Sequence, residues 1–182
     1  QLELQPLTLS SSESLVRTIM GDDKRGTKII RRIIDQSAGL PYLVSELAHY
    51  AKSQGAHFLS QDMLHDGTSL GHSLLAKRLA SLPLENAVLV ELAAVAAAPL
   101  VPTVIMRAAE SEQRYRLRDL TILRLLKWNI DGDRQALQIY HDHLREFVVS
   151  NLSGEALIKR HGALLSAMEF DGHYDSESLL PH

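Results

Sequence analysis

The chain has 182 residues, a formal net charge of −3 and no cysteine, which excludes disulfides, iron–sulfur clusters and cysteine zinc sites. With 45% hydrophobic and 23% charged residues, it has the composition of a globular chain long enough to bury a core. The slight acidic excess gives no general attraction to nucleic acid or to an anionic membrane.

Leucine (32) and alanine (18), with few aromatics, favour helix over sheet. No apolar run approaches the roughly 18–20 residues of a membrane span. The first residue is Gln1, not Met, which leads to the expectation that the chain is part of something longer.

Residues 1–5 alternate apolar and polar and stop at Pro6, the pattern of a short strand. That strand has no partner nearby, so its sheet is expected upstream. Ser10–Ser12 offers N-cap chemistry for a helix to Met20, broken at Gly21-Asp22-Asp23. Ile29, Ile30, Ile33 and Ile34 form an apolar stripe at helical spacing, ending at Ser37-Ala38-Gly39.

Pro41 suits the first turn of the next helix, with Leu43, Leu47 and Ala51 inward. Ser53–Gly71 reads as a loop. Leu74, Leu75, Leu79 and Leu82 mark another helix, and Pro83 separates it from a nearly all-apolar core helix near Leu84–Ala97. Pro99 and Pro102 bracket a joint. Thr103 caps a helix to about Glu110, and a further helix runs from about Gln113 to Leu126.

The period then changes. Lys127–Asp131 and Gln135–Tyr140 flank Gly132-Asp133, which reads as a β-hairpin. Asp142–Asn151 is helical, with Leu144, Phe147 and Val148 inward. Ser153 caps a last long helix striped by Leu157, Leu164, Leu165 and Met168. The order of three helices, hairpin and helix from Leu84 is that of a winged helix. The fold expected is therefore mainly α: a helical bundle, then a winged-helix domain with one short β-hairpin.

Catalytic signatures are missing. There is no G-x-x-x-x-G-K-[ST], G-x-G-x-x-G or G-x-S-x-G, and the ten glycines never cluster. His141 and His143 flank Asp142, but no third ligand stands nearby in sequence, so a helix N-terminus is favoured over a metal site. His161 reads as a partly buried structural histidine. Arg114, Arg116, Arg118, Arg124 and Lys127 fall where a recognition helix would lie. They scatter around the helix with Asp119 among them, which argues against direct DNA binding.

Four stretches carry a resemblance. Leu2-Glu3-Leu4-Gln5-Pro6-Leu7 is similar to an L-x-L-x-P-L exit from an ATPase core. Ser37-Ala38-Gly39-Leu40-Pro41-Tyr42-Leu43-Val44-Ser45-Glu46-Leu47 resembles a G-x-P element followed by E-L. Ile139-Tyr140-His141-Asp142-His143-Leu144-Arg145-Glu146 resembles aromatic-x-H-x-x-hydrophobic-R-E. Lys159-Arg160-His161 through Met168-Glu169 resembles R-H-x-x-L-A-x-x-L-E. In this order they resemble the C-terminal half of the nucleotide-binding module of STAND proteins, signal-transduction P-loop ATPases of the AAA+ class. The tail ending in Leu179-Leu180-Pro181-His182 is similar to the start of helical-repeat sensors.

The resemblance implies residues 1–7 as the last core strand, 8–82 as the helical lid, 83–170 as the winged helix, and 171–182 as a tail or the start of repeats. It implies that Pro41 packs against bound nucleotide, with Gly39 shaping the turn. In related NTPases an M-H-D motif sets its His on the ADP β-phosphate. Here Tyr140-His141-Asp142 occupies that place, Tyr standing for Met, so His141 is the implied phosphate contact and Asp142 its neighbouring cap.

ATP or ADP is expected in the full-length parent only, with no cofactor on these residues and no enzymatic activity of their own. The implied partners are the chain's own upstream P-loop core and downstream sensor repeats, with oligomerisation in the parent, in the cytoplasm. The readings weighed against this one are a winged-helix DNA-binding regulator and a helical protein-interaction scaffold.

Overall fold

The computed structural model describes residues 5–21, 26–54, 70–96, 98–131 and 134–171. The expected strand at 1–5, the loop at 53–71, the hairpin turn at Gly132-Asp133 and the tail fall wholly or largely outside them. The described residues are mainly helical, with one small antiparallel sheet. They divide into two compact units, one up to Arg78 and one from Leu79 onward.

The first unit is built on α1 (Leu9–Met20), α2 (Gly26–Ser37) and α3 (Pro41–Gln54), packed against one another. The isoleucine stripe of α2 meets Val16 of α1 and Val44, Leu47, Ala48 and Ala51 of α3 in one core. The helix ends are tied by polar groups. Thr8, not Ser10–Ser12, caps α1, its hydroxyl accepting from the Ser11 amide at 3.2 Å. Ser12 turns inward beside Val16, one turn on, and is buried. The Lys52 ammonium donates to the Ile19 carbonyl at 2.7 Å, a cation at the negative end of α1.

Helix α4 (Leu70–Ala80) lies against α3, with Leu74 and Leu75 buried. Gly71 faces the Leu43 side chain. Glu46, buried on α3, pairs with Arg78 of α4. A buried carboxylate needs such a partner. Leu82, expected on this helix, follows its end in a bend.

The second unit is assembled around α5 (Leu84–Ala96), apolar nearly all round, with Leu89, Val90, Leu92, Ala93, Ala94 and Val95 buried. Helices α6 (Pro102–Ala108), α7 (Tyr115–Ile122), α8 (Asp142–Ser150) and α9 (Gly154–Asp171) surround it. Pro102 occupies the first turn of α6 after Val101, so Thr103 is not its cap.

Strands β1 (Leu126–Asp131) and β2 (Arg134–Ile139) pair antiparallel from Leu126↔Ile139 to Asp131↔Arg134. Leu100, between α5 and α6, adds an isolated antiparallel bridge to Leu137, with amide–carbonyl bonds of 2.7 Å in both directions. Ser153 caps α9, its hydroxyl accepting from Ala156 at 3.1 Å. Arg160 of α9 grips Glu91 of α5 at 2.8 Å through Nε and 2.7 Å through Nη2.

The structure departs from expectation at three further points. Helix α7 stops at Ile122 instead of running to Leu126. Arg124 takes φ +53°, its amide bonding Thr121 while the Leu125 amide bonds Leu120, a Schellman stop without glycine. His161 is exposed, because Arg160 holds the inward position to reach Glu91. Of the inward residues named for α8 and α9, Leu144, Val148 and Leu164 are buried, while Leu165 is exposed.

Candidate functional site

The first candidate residues, Gly39 and Pro41, sit in the turn from α2 to α3. Ala38 and Gly39 take successive left-handed conformations, φ +49° and +73°. They reverse the chain so that Leu40 donates to Ser37 at 2.9 Å and Pro41 opens α3. The turn also receives the N-terminal segment, whose Leu7 amide donates to the Gly39 carbonyl at 2.8 Å. A Cβ on Gly39 would stand 2.7 Å from the Leu7 carbonyl oxygen and 3.2 Å from Pro6 Cβ. Glycine is thus demanded twice, by backbone conformation and by close approach. Pro41 itself is exposed.

The second pair, His141 and Asp142, stands where the hairpin hands over to α8. Tyr140 donates to Leu125 at 2.9 Å at the hairpin base. His141 is extended, φ −151° and ψ 148°, and is the N-cap of α8. Its Nδ1 accepts from the His143 amide at 3.3 Å, and its carbonyl accepts from Leu144 and Arg145. Asp142 follows in the first turn as an exposed acid, favourable at the positive helix end.

The His141 and His143 rings stack with centroids 5.9 Å apart and planes 6° from parallel. His143 Nδ1 lies 3.5 Å from Glu146 Oε2. Burial pushes the His141 pKa below its ordinary value, aided by His143 and Lys127 and opposed by Asp142 and Glu146. A neutral imidazole that accepts through Nδ1 carries its proton on Nε2. Beside a helix N-terminus, that N–H is suited to an anionic oxygen.

A cleft of about 100 Å³ borders Asp142 and is lined by Lys127, Gln138, Ile139, Arg145, Ala93 and Ala98. It has room for about three waters, far less than a nucleoside needs. Arg145 donates through Nε to the Ala94 carbonyl at 2.9 Å, placing a cation at the carbonyl end of α5. Gly39 and Pro41 belong to the first unit, His141 and Asp142 to the second. Among the described residues, no group of three or more His, Asp or Glu could hold a metal ion. No described helix is long and apolar enough to cross a membrane.

No protein-family model matches the sequence, and no curated protein matches it significantly.

Sequence reasoning passed over two groups near His141. In the sequence Lys127 stands only among the scattered basic residues of the helix–hairpin segment, yet it lines the cleft. Arg145 stood inside the quoted R-E element, but its tie to Ala94 joins residues far apart in sequence. The scattered basic residues of α7 are also partly spent on structure. Arg116 reaches Gln113 at 2.6 Å and the buried Asn86 at 3.0 Å.

Proposed function

We propose that the chain is the lid and winged-helix portion of a STAND-type ATPase module, closing over nucleotide in the off state and coupling nucleotide state to an effector outside these residues. The observation that carries this reading is the union of two resemblance-bearing stretches. The Pro6-Leu7 exit and the Gly39-Leu40-Pro41 turn are hydrogen-bonded and packed so closely that only glycine fits. The helix order around a hairpin, with Leu100 adding a third strand position, supports the winged helix. The neutral His141 at the α8 N-terminus supplies a donor for an ADP phosphate oxygen.

In this reading the nucleotide biases a domain switch by contacts that differ between two states. The chain alone neither hydrolyses ATP nor binds it tightly. Calorimetry of the 182 residues with ATP and ADP is expected to give no micromolar binding, and such binding would sink the proposal. The gene upstream of Gln1 should encode a G-x-x-x-x-G-K-[ST] loop; an upstream sequence without it refutes the reading. In the parent, His141→Ala should speed ADP release about tenfold, the loss of roughly 1.4 kcal/mol. An unchanged off-rate removes His141 from the site.

A further inference from the structure

The hydrogen bonds of the hairpin fix which backbone groups face which edge. Leu100 and Leu137 exchange both amide–carbonyl bonds at 2.7 Å, so the N–H and C=O of Leu137 point away from β1. Successive residues of a strand send these groups to opposite edges, so Ala136 and Gln138 turn theirs toward β1. Tyr140 keeps the same parity, its amide bonding Leu125 at 2.9 Å. Through the register, Lys127 opposite Gln138 and Asn129 opposite Ala136 are the residues of β1 that bond β2. Trp128 and Ile130 therefore aim their N–H and C=O at the outer edge of β1, where no hydrogen bond meets them.

Nothing in the strand blunts this edge. β1 pairs with β2 along its whole length without a bulge and holds no proline. Trp128 and Ile130 are 41% and 68% exposed. An exposed edge of this kind is a template for another strand. The two side chains lie on the same side of β1 as the buried Leu126. Lys127 and Asn129, both exposed, lie on the other side.

We propose that this edge pairs antiparallel with the same edge of a second copy of the chain, about a two-fold axis at Asn129. The sheet then runs β2–β1–β1–β2 across the two copies. The occupant follows from self-complementarity. In that register Trp128 of each copy stands opposite Ile130 of the other, and each such pair exchanges both its amide–carbonyl bonds. An aromatic residue is thereby set beside a β-branched one, a favourable cross-strand pair. On the other side Lys127 is set opposite position 131, which is an aspartate, so the register matches opposite charges. A slip of two residues either way sets Trp128 or Ile130 opposite itself and parts Lys127 from that aspartate. The surface is one strand wide, which places the association at the weak end of protein interfaces. It concerns the second unit alone and does not rest on the nucleotide reading.

Sedimentation equilibrium of the full 182-residue chain is expected to show a monomer–dimer equilibrium with a Kd of about 0.1–1 mM. Amide exchange read by NMR at low and high protein concentration locates the interface. The Trp128 and Ile130 amides should gain protection with concentration, while those of Lys127 and Asn129, already bonded to β2, should not change.

Ile130→Pro removes an N–H that the fold does not use and should weaken the dimer about tenfold or more. Lys127→Glu should weaken it about threefold, and adding Asp131→Lys should restore it. That charge swap decides the matter independently of whether Ile130→Pro folds. Ile158→Lys, at an exposed position of α9, should change nothing. A chain that stays monomeric at about 1 mM overturns the proposal. So does protection gained without Trp128 and Ile130, failure of the charge swap to restore the dimer, or equal loss in Ile158→Lys.

Discussion

Replacing Gly39 by alanine isolates the contact on which the functional reading rests. At φ +73°, an L-residue costs about 1–2 kcal/mol. The new Cβ would meet the Leu7 carbonyl oxygen at 2.7 Å, and relief requires residues 6 and 7 to move away. That motion breaks the Leu7–Gly39 hydrogen bond, worth about 1 kcal/mol. The first unit should therefore lose about 2–3 kcal/mol.

The companion variant is Gly162→Ala. Gly162 lies inside α9 with open space around its Cβ position, so alanine should gain about 0.5–1 kcal/mol from helix propensity alone. Native-state hydrogen exchange followed by mass spectrometry reads the two units separately, and urea unfolding gives the total. In Gly39→Ala, the Leu7 amide should lose protection first. A loss under about 0.5 kcal/mol, or unchanged protection at Leu7, would refute the reasoning.

His141→Asn keeps a capping side chain but removes the titration. Burial depresses the His141 pKa in the folded chain below its ordinary value, so the unfolded chain binds more protons in the window between the two. Stability then falls as pH drops through that window and levels off once the folded form is also protonated. Urea midpoints of the wild type should decline relative to His141→Asn from pH 7.5 to pH 5; parallel profiles would exclude His141. Glu110→Gly and Arg124→Gly place glycine at left-handed helix stops, φ +50° and +53°, and each should raise the thermal midpoint through about 0.5–1 kcal/mol. Arg160→Leu leaves Glu91 largely buried without its two charged bonds and should cost about 1–3 kcal/mol. Adding Glu91→Leu should restore most of it, and a double variant as unstable as the single one would deny that the unpaired carboxylate is the cause.

The helices were legible where periodicity and proline agreed. The isoleucine stripe of α2, Pro41 opening α3 and the apolar α5 all depend on local pattern. Helix ends were less so. Residues 123–126 contain neither glycine nor proline, so nothing local announced the stop that Arg124 makes by adopting a strained conformation. Thr8, Ser10, Ser11 and Ser12 all offer hydroxyls, and only the core decides that Ser12 faces in and Thr8 caps.

His161 was misplaced because the pattern favoured a leucine-flanked histidine over an arginine. Arg160 takes the inward position through an ion pair with a residue far back in the sequence. The site was legible as residue types. The turn at Gly39 could be named from the sequence, but its contact with Leu7 could not. The capping role fell to His141 because its ring nitrogen, held neutral by burial, reaches the His143 amide, while Asp142 belongs to the first turn.

The Leu100–Leu137 bridge bears on how the second unit comes together in time. A two-stranded ribbon such as β1–β2 is marginal by itself in water. Here it acquires its third position from the connector between α5 and α6, whose partner is met only after α7 and β1 have been laid down. Closing that long loop expends chain entropy before any bond rewards it. The helices can form early from local contacts, but the ribbon and the connector must arrive together. Loosening either one should slow folding of the whole unit, which makes Leu100 a rate-setting position although it belongs to no helix and to neither named strand.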